Sequence, residues 1–260
     1  MPELPDVEAF RRRIDSAARN QTIHHVELSA PDMVKGTSPA AFRRRIEGHV
    51  ISRTARHGKH LLVEIEGAGW LDLHFGMSGF PEFVPASAPL PRYTRMALDL
   101  DRGRLAYVVP RRLGRLALLD NPAELIEKKN LGPDLLDPKF DFARFQQLAR
   151  GKGSVKCWLM DQSLMAGIGN VYSDEVLYQA RLHPRRAVKD LSREELRRLY
   201  TTLHRVVKSA IDHDADPKRL PSHWLLTHRR AGQPCPACDG AIARLSLCGR
   251  SSYFCPACQH

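Results

Sequence analysis

The repeated tetrapeptide CPAC, at 235–238 and again at 255–258, constrains this chain more than any other stretch. Sixteen residues separate the two copies. Two Cys-x-x-Cys knuckles at this spacing bring four thiolates, Cys235, Cys238, Cys255 and Cys258, to one tetrahedral zinc ion, and the residues between them can form a β-hairpin. Disulfides or redox-active pairs would use the same residues. Two matched knuckles are hard to explain as redox motifs, and a cytosolic chain disfavours structural disulfides. One structural Zn2+ is therefore expected, closed by four thiolates and holding no catalytic water. Without it, so short a module has too little core to fold. Cys157 and Cys248 fall outside the knuckles. Cys157 lies in a helical apolar stretch and reads as a buried thiol. Cys248 lies inside the hairpin, as a competing zinc ligand at most.

The rest of the 260 residues is long enough for a sizeable core and for more than one domain. A net charge of +11 favours polyanionic partners, nucleic acid first. The charge is spread through folded-looking segments and not gathered in a tail. No apolar run reaches the ~18 residues of a membrane span, and none of signal-peptide type stands beside Arg11–Arg13. A cytoplasmic location is expected, nucleoid-associated in a bacterium, with no membrane partner.

Local pattern divides the chain. Residues 5–18 read as a helix: Pro5 suits a first turn, and Val7, Phe10, Ile14 and Ala17 recur at helical spacing. From 22 to 120, short stretches such as HLLVEIE and RMALDLD, separated by turn formers, read as an all-β sandwich. Residues 121–138 read as a connection with a short helical turn. From 139 to 213 the period is helical, with Ser192 and Glu195 in a capping-box pattern, and 214–231 reads as loop. The expected fold is α+β and multidomain: an N-terminal helix and β-sandwich (1–120), a linker (121–138), a helical domain (139–231) and a four-cysteine zinc finger (232–260).

Two features point to phosphate. In DQSLMAGIGNVYSDE (161–175), Gly167 and Gly169 allow a tight interhelical turn whose backbone N–H groups face an anion, and Asn170 adds a side-chain donor. In CGRSSYF (248–254), Arg250 follows a glycine at the hairpin tip, where a zinc-braced turn can grip a backbone phosphate.

MPELPDVE at the start, RHGKHLL at 56–62, HFGMSG at 74–79, PRRLGR at 110–115, DQSLMAGIGNVY at 161–172 and the final cysteine pattern together resemble the formamidopyrimidine-DNA glycosylases, whose superfamily includes the endonuclease VIII enzymes. The resemblance runs the whole length, in order. It implies a base-excision repair enzyme with a helix–two-turn–helix, monomeric, binding damaged double-stranded DNA between its halves, flipping out an oxidised or ring-opened base, removing it and nicking the abasic site. It implies no catalytic metal or organic cofactor.

By the same resemblance, Pro2 is the nucleophile once Met1 is removed. An α-amine titrates near ~8, against ~10.4 for lysine, so more of it is unprotonated in the cell. Glu3 handles protons and Asp6, where the family usually has Glu, orients the amine. Lys59 and His74 contact phosphates beside the lesion, Lys59 at the catalytic centre, and Lys156 and Asn170 grip phosphates from the helical half. Met77, Arg111 and Leu113 enter the duplex, with Leu113 in place of the usual Phe. The stretch 209–232 is shorter than the family's lesion-capping loop and lacks its Gly-Thr-Thr run. Formamidopyrimidines, oxidised pyrimidines or bulkier lesions are therefore alternatives to 8-oxoguanine. A non-cutting damaged-DNA binder on the same fold and a generic zinc-ribbon factor are the competing classes. The second leaves the N-terminal pattern unexplained.

Overall fold

A computed structural model describes residues 1–151 and 153–260. The chain divides into two compact units, Met1–Asn130 and Leu131–His260.

The first unit opens with α1 (Leu4–Ala18). Its strands are β1 (Ile23–Leu28), β2 (Val34–Lys35), β3 (Ile51–His57), β4 (His60–Ile65), β5 (Gly69–His74), β6 (Phe80–Val84), β7 (Thr94–Leu100), β8 (Gly103–Val108) and β9 (Arg115–Leu119). They form a four-stranded sheet, β1-β7-β8-β6, and a five-stranded sheet, β2-β9-β5-β4-β3. Val26, Leu98 and Leu105 of the first sheet share one buried core with Leu61, Val63 and Leu71 of the second. The expected sandwich is present, each sheet laying one face on that core. α1 lies against β3 and β4 of one sheet and β6 of the other, burying Val7, Ile14 and Ala18.

Two elements depart from the all-β reading of 22–120, a 3-10 turn at Pro31–Met33 and a longer helix. Pro39–Ile46 is a helix, α2, with Ser38 as N-cap accepting from the Ala41 N–H and with Pro39 in the first turn. Phe42 and Ile46, four apart, bury one face while Arg43, Arg44 and Arg45 leave the apolar signal weak. The connection at 121–138 holds α3 (Pro122–Lys129), closed at its start by a capping box between Asn121 and Glu124.

The second unit contains α4 (Phe142–Leu148), α5 (Val155–Met160), α6 (Asn170–Gln179) and α7 (Arg193–Asp212), then β10 (Ala243–Leu247) and β11 (Arg250–Phe254) paired as an antiparallel hairpin. α7 starts at the expected Ser192–Glu195 capping box and buries Leu196, Leu199, Leu203, Val206 and Val207 on one face. Residues 214–231, expected as loop, contain one 3-10 turn at Leu225–His228, and Leu220, Trp224 and Leu225 are buried. No described helix is long and apolar enough to cross a membrane.

Candidate DNA-repair site

The N-terminal pattern folds into a charged helix start. Glu3 is the N-cap of α1 and is buried, whereas Pro2 is half-buried. The Glu3 N–H donates to the Asp6 carboxylate at 2.9 Å. Burial is the main force on Asp6 and pushes its carboxyl up to about 6. The charge of Glu3 adds to that rise, while the Glu3 N–H and the chain's own terminal amine oppose it. An amine and two acids thus share a partly desolvated corner. Glu3 and Asp6 are also the two halves of a reciprocal capping box that closes the start of α1.

Lys59 lies in the two-residue turn between β3 and β4, closed by the pair His57 and His60. Gly58 there has φ +55°, a conformation that glycine takes without a steric cost. Arg56 fixes this turn: its Nη1 donates to the Gly58 carbonyl at 3.0 Å and its Nε to Glu8 of α1 at 3.3 Å. Arg11 holds the other side of Glu8 at 2.7 Å. Lys59 itself is largely buried.

His74 ends β5 opposite His60, with ring centroids 4.9 Å apart. Burial first, then the neighbouring His60 and Arg115, lower its pKa to about 4, so it is neutral at pH 7. Its Nδ1 accepts the Gly76 N–H at 3.3 Å, which assigns the proton to Nε2 and leaves that nitrogen a donor. Beneath it, Asp72 holds His60 at 2.8 Å and Arg115 at 3.6 Å.

The turn after His74 meets the loop before β9. Gly76 has φ +61°, and a Cβ there would come within 2.5 Å of the Leu113 carbonyl carbon. This close backbone approach brings Met77, half-buried, beside a loop that carries Arg111 and Leu113. Arg111 is exposed, and Leu113 is 52% exposed and therefore no core residue. Tyr107 braces the junction by donating to the His74 carbonyl at 2.5 Å.

In the second unit, the turn between α5 and α6 is held from within. Gln162 accepts the Gly167 N–H at 3.0 Å and donates to the carbonyls of Met160 and Ile168, each at 2.8 Å. Gly167 has φ +132°, and Gly169 is the N-cap of α6. Asn170 donates from Nδ2 to the Ser251 carbonyl of β11 at 3.0 Å, so it joins α6 to the hairpin.

Lys156 is a correction. Expected at a phosphate, it is fully buried and paired with Asp174 at 2.5 Å, with its Nζ also donating to the Asn170 carbonyl and the Ser173 hydroxyl. A long side chain rooted in the inward face of α5 finds its carboxylate inside, where desolvation makes that partner obligatory. Asp174 is the centre that the sequence did not reveal. It also accepts from Arg229 Nε at 2.9 Å, Ser252 Oγ at 2.7 Å and the Tyr253 N–H at 3.1 Å. Arg229 further lies over the Tyr253 ring, 4.7 Å from its centroid. An acid pair, Asp174–Glu175, in a helix with no other charged residue was the available signal. Arg250, at the start of β11, is exposed as expected.

The four knuckle cysteines converge. Their sulfurs all lie within 4.8 Å of one another, with Cys235–Cys258 at 3.8 Å, Cys238–Cys255 at 3.5 Å and Cys238–Cys258 at 3.3 Å. Tetrahedral zinc with Zn–S near ~2.3 Å requires sulfurs about 3.8 Å apart, so the set fits the ion. The N–H groups of Ala237 and Gly240 donate to the Cys235 and Cys238 sulfurs, and Tyr178 lies 3.3 Å from Cys235. These residues hold one structural zinc. Cys248 is not a fifth candidate and Cys157 is not a free buried thiol. The two are joined as a disulfide, Cα atoms 5.9 Å apart, 91 residues apart in sequence.

Fold and site together define a zinc-finger DNA-binding protein of helix–two-turn–helix type. The profile of the formamidopyrimidine-DNA glycosylase N-terminal domain matches residues 1–116, that of its H2TH domain matches 131–221, and that of the zinc finger found in FPG and IleRS matches 232–260. The formamidopyrimidine-DNA glycosylase of Thermomicrobium roseum is 36% identical, with 100% of this chain and 99% of that protein covered. The one from Thermus thermophilus is also 36% identical, over 100% of this chain and 98% of its own length. Among solved structures, Lactococcus lactis Fpg in complex with DNA containing an abasic site superposes with TM-score 0.89 at 28% identity, over 99% of both chains. A complex of the same enzyme with N7-benzyl-Fapy-dG DNA gives 0.90 at 28% identity, over 100% of both. The chain belongs to the formamidopyrimidine-DNA glycosylase family.

Proposed function

We propose that Pro2, with Met1 removed, is the nucleophile of this enzyme and that Glu3 and Asp6 manage its protons. Membership in the family makes the chain a DNA glycosylase and abasic-site lyase of base-excision repair, acting on damaged DNA. One observation carries the finer reading: two acids, Glu3 buried and Asp6 raised to about 6, at the chain terminus, where the amine is that of Met1, the residue whose removal frees the Pro2 nitrogen. The secondary amine attacks C1′ of the damaged nucleotide, and the base leaves with a proton. The resulting iminium acidifies the C2′ proton. Its removal expels the 3′ phosphate, and a second elimination expels the 5′ phosphate. Asp6 is one methylene shorter than the usual Glu, and its bond to the Glu3 N–H holds it at the helix start.

In this reading Lys59, His74 through its Nε2–H, Asn170 and Arg250 hold the DNA backbone, and Met77, Arg111 and Leu113 fill the space of the flipped nucleotide. Lys156 acts from inside, through Asp174. The four segments 1–120, 121–138, 139–231 and 232–260 serve as catalytic domain, linker, DNA-binding domain and finger. The compact 213–231, with Trp224 buried and the Leu226 N–H bound to Glu175 at 2.7 Å, has less chain to fold over a lesion, which favours ring-opened formamidopyrimidines over 8-oxoguanine. The protein works as a cytoplasmic monomer with access to the nucleoid.

Borohydride trapping tests the nucleophile. Untagged protein is mixed with duplexes containing an abasic site, a formamidopyrimidine, 8-oxoguanine or an oxidised pyrimidine. A covalent complex is expected, lost in Pro2→Gly while binding to the abasic duplex persists. Cutting by Pro2→Gly at the parent rate would exclude Pro2.

A further inference from the structure

Cys248 occupies the first position of the two-residue turn joining β10 to β11. It has φ +52°, followed by Gly249 at φ +67°, with Leu247 and Arg250 as the flanking pair. Two successive left-handed residues make the hairpin turn that favours Asn-Gly, Asp-Gly or Gly-Gly. A cysteine, with its Cβ, is a poor choice on turn chemistry alone. Its sulfur instead bonds to Cys157 in the first turn of α5, and the Cα separation of 5.9 Å lies in the middle of the usual disulfide range. Neither residue is a zinc ligand, and neither belongs to the catalytic corner.

The surroundings suit a bond that opens and closes. Cys248 is exposed and Cys157 half-buried, so small thiols and disulfides reach the pair. The body of the hairpin does not depend on the bond. Asn170 holds Ser251, and Asp174 holds Ser252 and Tyr253, through hydrogen bonds that involve neither sulfur. The bond therefore controls only the tip, Leu247 to Arg250. That tip carries the exposed arginine.

We propose that Cys157 and Cys248 form a reversible redox cross-link that pins the tip of the zinc-finger hairpin to α5 and so sets how firmly Arg250 is presented. The oxidant is a low-molecular-weight disulfide. A thiolate of the pair attacks it and displaces one small thiol. The second cysteine then attacks the mixed disulfide, displaces the other small thiol, and leaves the Cys157–Cys248 bond. Two protein S–H bonds are lost and two small thiols are made. Excess small thiol reverses both steps. The oxidised form holds Arg250 in place before DNA arrives, and the reduced form orders it on binding. This effect on DNA rests on the Arg250 contact proposed above, whereas the cross-link does not.

The test uses full-length, zinc-loaded protein in glutathione buffers from fully reduced to fully oxidised, with zinc content followed throughout. Peptide mapping is expected to find the 157–248 pair in oxidised buffer, a loss of two mass units per chain, zinc retained, and recovery of both thiols in reduced buffer. Dissociation from a duplex containing a stable abasic-site analogue is expected to be several-fold faster for the reduced protein, with Cys248→Ser matching the reduced form in every buffer. Absence of the pair in oxidised buffer with zinc intact overturns the cross-link. A pair that forms and reopens while dissociation stays constant overturns its control of the tip. Arg250→Ala separates the two readings: if it binds like the parent, the DNA contact is at fault, and the mapping still judges the cross-link.

Discussion

Replacing Asp174 by alanine is expected to destabilise the second unit by at least about 3–5 kcal/mol, the cost of leaving one partner of a buried ion pair behind. The figure follows from burial. Lys156 and Asp174 are both fully excluded from solvent, with 2.5 Å between Nζ and Oδ1. In the variant the ammonium keeps the Asn170 carbonyl and the Ser173 hydroxyl but loses the carboxylate. Arg229, Ser252 Oγ and the Tyr253 N–H lose their acceptor as well, each a loss of about 1 kcal/mol or more when nothing replaces it. Asp174→Asn keeps an acceptor of the same size and isolates the charge. Its cost is expected near about 3 kcal/mol.

Urea unfolding of the zinc-loaded protein measures this, because Trp158 and Trp224 report from within the second unit and both are buried. A double-mutant cycle with Lys156→Met gives the pair term. Once the ammonium is gone, Asp174→Asn should become cheaper by about 2 kcal/mol or more, since contacting charges couple on this scale. Losses under about 1 kcal/mol for both Asp174 variants, or a cycle that closes additively, would refute the view that Lys156 is a structural cation.

Asp6 makes stability depend on pH. Its carboxyl is raised from 3.8 to about 6 in the chain that retains Met1, so between those values the folded form holds a proton that the unfolded form has released, and stability falls as pH rises through this window. Asp6→Asn should remove that fall, gaining on the parent by about 2 kcal/mol between pH 4 and pH 7; an unchanged difference across the window would contradict the burial argument. Zinc should be found at one ion per chain, and chelation should unfold the β10–β11 hairpin and abolish DNA binding; full binding by metal-free protein would refute the structural role. Arg250→Ala should reduce the slope of log K against log salt by roughly 0.9, one phosphate contact, and an unchanged slope would remove Arg250 from the interface.

The sandwich and the finger were legible for definite reasons. Short apolar runs along β4 and β5, bounded by turn formers, report buried strands, and knuckle spacing reports a tetrahedral ion. α2 was not legible, because three arginines between Phe42 and Ile46 dilute an apolar face only two residues wide. Lys156 was placed at a phosphate by resemblance, and its burial depends on Asp174 on the next helix, a tertiary partner that no local pattern reports. Arg229 lies in THRRAG, a stretch without periodicity, and nothing local ties it to Asp174. The Cys157–Cys248 pair spans 91 residues, and no spacing rule reaches that far. At the candidate site, residues inside the family motifs were found, Glu3 and Lys59 among them though both are buried, while the partners outside those motifs, Asp174 and Arg229, were not.

Those buried residues follow one plan in both units. Glu8 takes Arg56, and Arg56 takes the Gly58 carbonyl, so a carboxylate on α1 fixes the backbone of the turn that carries Lys59. Asp174 takes Ser252 and the Tyr253 N–H, so a carboxylate on α6 fixes the strand that begins with Arg250. Buried ion pairs of this kind contribute little net stability, because desolvation offsets most of the attraction. With Lys59 and Arg250 at phosphates as proposed, their effect falls on binding. A long cation on an unfixed turn loses about 2 kcal/mol of rotamer freedom when it meets a phosphate, and the turn loses more. Fixing the backbone during folding removes the second loss from the binding step. Conservative changes at Glu8 and Asp174 should therefore weaken DNA binding even under conditions where the variants remain folded.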